Sequence, residues 1–241
     1  MTTTPAASPA LQCTVTLGFA GSRQLLDQAP ADGTELVQIQ KFLTDQLKGL
    51  PDALRLSNAH FLCGLSQIAI GADMLFTRAC RDLDIPQWIV LPQPRDEFLN
   101  AKSSSGTPDF TEQERMEAMT LLDSPHIIHE QVVSNGPDRA SRFEDTNLEI
   151  VRRSDVVVCL LHADGQRKAG RTEDMLDLAK NRGRPTLEIR IGRTEGKLEI
   201  VPTWHNLTAY IPPKLPTERQ GVPAHAGDSL PSLDSHGGDN G

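Results

Sequence analysis

The sequence predicts an α/β fold: a Rossmann-like, doubly wound, mostly parallel sheet with helices on both faces. Three features predict it. Apolar runs of strand character (CTVTLGF, HFLC, WIVL, DVVVCLL and PTLEIRI) alternate with amphipathic helical stretches. DVVVCLL, residues 155–161, is apolar without alternation, as in a strand covered on both faces. The stretch HFLCGLSQIAIGADMLFTRACRDLDIPQWIVLP, residues 60–92, reads strand, glycine-containing loop, helix, strand. That is a right-handed βαβ unit, and ligands of such sheets sit beyond the carboxyl ends of the strands.

Composition narrows the function classes. Of 241 residues, 38% are apolar and 23% charged, so a folded core is expected, drawn from the middle of the chain. The net charge of −8 argues against a dedicated nucleic-acid binder, which carries a basic face. No stretch approaches the roughly 20 apolar residues of a membrane span, and MTTTPAASPALQ lacks the features of a secretory leader. Cys13, Cys63, Cys80 and Cys159 lie in apolar contexts without metal-ligand spacing. They read as reduced thiols of a cytoplasmic protein.

In chain order, residues 1–12 read as a disordered arm, and 13–19 as the first strand. The strand runs into Gly21-Ser22-Arg23, a turn that lets backbone approach a phosphate, with a hydroxyl and a guanidinium beside it. Residues 35–47 place Leu36, Ile39, Phe42, Leu43 and Leu47 on one helix face, closed by Pro51. The next strand, 60–63, stops at Gly64, and Gly71-Ala72-Asp73 opens a helix that Ile85-Pro86 ends. A strand at 88–91 and a polar loop over 93–112 follow, the loop placed to cover a pocket.

Thr111, Glu112 and Glu114 start a helix to Leu122. Residues 126–133 fit a strand or an irregular insert; His126 and His129 have no third ligand nearby, and no metal is expected. A helix over 141–153 leads into the central strand, which delivers His162-Ala163-Asp164-Gly165 and the basic loop QRKAGR. The helix over 172–181 precedes the last sheet strand, 185–191, with an edge strand at 204–211. The expected domain spans 13–212, and the Pro/Gly/Ser-rich end, 213–241, reads as a disordered tail or a linker to an attached domain.

Three segments together resemble a known family: GFAGSR after the first strand, CGLSQIAIGADMLFTRACRDLDIPQWIVLP in the middle, and NLEIVRRSDVVVCLLHADGQRKAGRTEDMLDLAKNRGRPTLEI near the end. They are similar in order and spacing to the SLOG superfamily of Rossmann-like domains, named for Smf/DprA and the LOG proteins. The resemblance covers residues 13–191. It implies a pocket for a nucleotide-derived small molecule along the carboxyl edge of the sheet. Gly21, Ser22 and Arg23 would line its first turn, and Gly64, Ser66, Gly71, Ala72 and Asp73 its second. Asn147 would approach from the helix before the central strand, and Gly170, Arg171 and Thr172 would form the phosphate side. It also implies a homodimer.

Two function classes follow. In the first, the domain binds and senses its ligand and signals to a fused or separate effector. In the second, it cleaves or transfers an N-glycosidic bond, as LOG phosphoribohydrolases and nucleoside deoxyribosyltransferases do, with Glu173 as nucleophile or charge stabiliser and Asp164 assisting. Neither needs a bound cofactor. The loop KAGRTED holds one glycine where that family carries several. Thr146-Asn147 stand where its hydrolases place an arginine, so the resemblance extends further for binding than for hydrolysis. DNA handling is a third reading, resting on Arg152, Arg153, Arg167, Lys168, Arg171, Arg182 and Arg184, and the acidic balance opposes it.

Overall fold

A computed structural model describes residues 13–23, 25, 33–103, 105–134, 136–163 and 172–214. The arm, the loop 164–171 and residues 215–241 lie outside the described residues. The elements are β1 (Cys13–Gly21), α1 (Thr34–Ala53), β2 (His60–Ser66), α2 (Ala72–Asp82), β3 (Gln87–Leu91), α3 (Arg95–Leu99), α4 (Glu112–Leu122), β4 (Ile127–Val132), α5 (Arg139–Arg153), β5 (Val156–His162), α6 (Thr172–Asn181), β6 (Thr186–Thr194) and β7 (Lys197–His205). The strands form one sheet in the order β4-β3-β2-β1-β5-β6-β7. All neighbours pair in parallel except β6 and β7.

Burial follows the pattern expected of two covered faces. Val15, Leu17 and Phe19 of β1 and Val156, Val158 and Leu160 of β5 face α1 and α2, and Phe19 stacks on Phe76 of α2. Val157, Cys159 and Leu161 of β5 face α5 and α6. Every residue of β5 is buried, each large side chain contributing roughly 1.5–3 kcal/mol. Helices α3 and α4 cover β3 on the α2 side through Phe98 and Leu121, with Phe110 of the segment between them. Arg78 of α2 pairs with Glu117 of α4.

Helix α4 starts as its sequence predicts. The Thr111 hydroxyl accepts from the Glu114 N–H, and the Glu114 carboxylate accepts from the Thr111 N–H. Replacing Thr111 with alanine removes one arm of this reciprocal cap and is expected to cost about 1 kcal/mol in denaturant unfolding. An unchanged midpoint would show that the cap adds nothing.

Four sequence expectations change. Pro51 does not close α1 but sits within its last turn, where the missing N–H forfeits a single intrahelical bond. Gly64 does not end β2: the strand passes through it, pairing Gly64 with Leu17 and with Gln87. The 93–112 segment contains α3 and a Lys102–Pro108 bridge. The edge strand is β7, earlier in the chain than 204–211, so 185–191 is not the last strand. It carries Pro202 opposite Ile189, which an edge tolerates, while Leu198, Ile200 and Trp204 pack onto the core. The open segment 126–133 is a strand at the opposite edge, with His129 meeting the Trp88 ring edge-on.

Candidate functional site

Strand order reverses between β1 and β5. From β1 the chain steps outward to β2, β3 and β4, and from β5 it steps the other way. Helices α1 and α2 lie on one face and α5 and α6 on the other, so the carboxyl ends of β1 and β5 open into a crevice. A cavity of about 330 Å³ sits there.

The turn after β1 supplies Gly21, Ser22 and Arg23. The Ser22 N–H donates to the Leu160 carbonyl across the switch point, at 2.8 Å. Two glycines let this turn rest on the start of α2. A Cβ on Gly21 would lie 2.0 Å from that of Ala72. Gly71, at φ 88°, presents no side chain to Ser22 and Arg23, whose backbone a Cβ would meet at 3.2 Å.

Asp73, on the first turn of α2, faces this cavity and is 5% exposed. One of its oxygens accepts from the Ala69 N–H at 3.2 Å. The other has no partner among the described residues. Burial pushes the carboxyl up to about 7, against the opposing pull of the Ala69 N–H, Arg23 and the Gly21 N–H. Burial also lowers the Arg23 guanidinium; Asp109, Asp73 and Glu114 work in the other direction. One terminal nitrogen of Arg23 is buried without a partner among the described residues.

The opposite wall comes from α5 and α6. Arg139, Phe143 and Asn147 stand four residues apart on one face of α5, and Thr172 and Glu173 begin α6. Asn147 accepts from the Gln67 side-chain amide at 3.3 Å, while the Gln67 carbonyl oxygen has no partner among the described residues. Arg139 lies over the Phe143 ring, 5.4 Å from its centroid, and pairs with Asp109. The first N–H groups of α6 have no intrahelical acceptor and carry the positive end of its dipole. The wall therefore offers anion donors, an amide pair and an aromatic ring, with the carboxylate of Glu173 among them.

Of the residues singled out in the sequence, Gly21, Ser22, Arg23, Asp73, Asn147, Thr172 and Glu173 line this one cavity. Gly71 and Ala72 lie directly behind it, as the contact that sets the turn. Gly64 and Ser66 are corrections. Gly64 is packed within β2, where a Cβ would meet Cys80, Gln87 and Phe76. The Ser66 hydroxyl is buried, donating to the Gln67 carbonyl and accepting from the Gln87 amide. Asp164, Gly170 and Arg171 lie outside the described residues. Gln67, Ala69, Arg139 and Phe143 line the cavity without having been singled out. For two of them a signal existed, because Arg139 and Phe143 precede Asn147 by eight and four residues, on its face of one helix.

Among the described residues, no group of three or more His, Cys, Asp or Glu side chains is placed to hold a metal ion. None of their helices is long and apolar enough to cross a membrane. Burial pushes the Cys63 thiol up to about 11 and raises Cys80 and Cys159 as well, so these thiols are unreactive by environment.

No family model matches the chain. A search of curated proteins likewise finds no match. Among solved structures the chain is similar to DNA processing protein A (DprA) from Streptococcus pneumoniae, at 15% identity and a TM-score of 0.46 over 73% of this chain and 50% of that one. The chain thus spans about half the length of that protein. It is also similar to TM1055, a structural-genomics target, at 17% identity and a TM-score of 0.37 over 72% of this chain and 71% of that one. Both are likenesses of fold.

Proposed function

We propose that this domain binds a nucleotide-derived small molecule in the switch-point cavity and acts as its sensor. The observation that carries the reading is a buried guanidinium nitrogen of Arg23, without a partner among the described residues, in a cavity shared with the start of α6 and the Gln67–Asn147 amide pair. Arg23 and the helix start suit a phosphate, and the amides suit a base or ribose. The volume, about 330 Å³, lies within the ordinary range of small-molecule sites. The same reading has the domain act as a homodimer that signals to an effector partner in the cytoplasm. It leaves nucleic acid aside on the net charge of −8.

A second reading, N-glycosidic-bond cleavage or transfer, is favoured by one feature. Glu173 shares the cavity with Asp73, a carboxyl held near 7. Two carboxyls in unlike environments are the basis of acid and nucleophile roles. Asp73 then takes the acid role, and Asp164 is not needed for it.

One experiment separates the readings. The full chain is screened by thermal shift against nucleotides, cyclic and linear dinucleotides, NAD and ADP-ribose derivatives, and each hit is checked for product by chromatography. A ligand at 100 times its dissociation constant adds about 2.7 kcal/mol of stability. Arg23→Gln is expected to weaken that ligand about tenfold or more, as loss of a charge-assisted contact does. An intact ligand supports the sensor. Free base released by the wild type and not by Glu173→Ala supports the enzyme. No stabilisation by any compound sinks both.

A further inference from the structure

A second cavity, also about 330 Å³, adjoins the first along the same edge of the sheet. The two share a wall, since Arg139 and Phe143 line both. Gln93, just past the end of β3, lies in the second cavity, as do Phe98, Ala101, Lys102 and Arg142. Its chemistry differs from that of the first. Phe143, partly exposed, gives it an aromatic side, backed by the buried Phe98 ring with centroids 6.5 Å apart. Arg142 donates to the Gln93 side-chain oxygen at 3.1 Å and to the Gly136 carbonyl at 2.9 Å, which sets the Gln93 amide in place. Lys102 adds a cation at the exposed rim. An aromatic side with a fixed amide fits a flat, hydrogen-bonding ring.

Between the cavities stands Arg139, already paired with Asp109 of the second cavity. A guanidinium carries five donors, so it serves one carboxylate and a phosphate together. We propose that the second cavity is a further subsite of the same site, and that the ligand has two nucleoside-like ends joined by a phosphate bridge lying on Arg139. This rests on the nucleotide reading above and narrows it to dinucleotide-type ligands. One end enters the Arg23–Thr172 cavity, and the other lies against Phe143.

Calorimetric titration of the full chain tests this with eight probes: AMP, GMP, CMP and UMP, and the symmetrical 5′,5′-linked dinucleoside diphosphate of each base. For the preferred base the dinucleoside compound is expected to bind about a hundredfold more tightly than the monophosphate. Ala101→Phe, which fills the second cavity alone, is expected to remove at least about tenfold of that gain and leave the monophosphate unchanged. A melting curve checks that this variant folds. If it does not, Lys102→Glu at the exposed rim replaces it, with a drop of about fivefold expected for the dinucleoside compound alone. Equal affinities for the two probe classes, or equal weakening of both by the variant, overturn the second subsite and leave the proposed function standing. No binding by any of the eight overturns the second subsite, and the proposed function falls with it only if the thermal-shift screen is empty as well.

Discussion

Gly21→Ala is expected to destabilise the domain by about 2–3 kcal/mol and to remove ligand binding at the switch-point cavity. The added methyl would lie 2.0 Å from the Ala72 Cβ, 3.1 Å from the Phe19 ring and 3.2 Å from the Ala72 Cα. None of these gives way cheaply. Phe19 is stacked on Phe76 at 4.3 Å, fully buried. Ala72 is the first residue of α2, and its backbone cannot move without the helix. The turn must therefore lift off α2, and it carries Ser22 and Arg23 with it. Denaturant unfolding reads the first effect and calorimetry the second. The double variant Gly21→Ala, Ala72→Gly returns the missing space at a helix-propensity cost of up to about 1 kcal/mol. It is expected to recover most of the loss, a coupling characteristic of residues in contact. A single variant as stable as the wild type would show that the turn and α2 are not so closely packed.

That contact also marks where the sequence was readable. Periodicity alone places β5, α6 and the start of α2, because β5 is buried throughout and both helices have one apolar face. It misplaces the end of β2, since a glycine reads locally as a break. Gly64 is there because Cys80 and Phe76 of α2 leave no room for a side chain, and that is a tertiary fact. Strand β7 is misplaced for a related reason. Pro202 reads locally as a break, and only its place at the edge of the sheet tolerates it, which no local pattern shows. At the site, glycine turns and a helix start are local signals, and seven residues named on those grounds and on family resemblance line one cavity. Arg139 and Phe143 required the further step of following the Asn147 face of α5 back toward its start. The charge state of Asp73 was out of reach, because burial sets it.

Asp73→Asn is expected to gain stability relative to the wild type as pH rises from about 4 to about 7, and to hold that gain above 7. The folded state holds the Asp73 carboxyl up to about 7 from a reference of 3.8. Below 4 the carboxyl is protonated in both the folded and unfolded states, and folding is not penalised. Between 4 and 7 the folded state binds the proton more tightly, so stability is lost as pH rises through that window. Above 7 the cost is complete, with an upper limit on the order of 4 kcal/mol for about three units. Asparagine keeps an acceptor for the Ala69 N–H and does not titrate. The attraction of Arg23 does not rescue the wild type, since it is already one of the effects that hold the carboxyl near 7 rather than higher. The difference between the two denaturant midpoints from pH 4.5 to 8.5 measures the effect, and parallel curves would refute it. A functional consequence follows under the phosphate reading. An anionic ligand beside Asp73 favours its neutral form, so binding takes up a proton and weakens above pH 7, by up to about tenfold per unit. In Asp73→Asn that dependence disappears. Calorimetry in buffers of different ionisation enthalpy counts the proton directly, and a count of zero at pH 8 in the wild type would place the ligand away from Asp73.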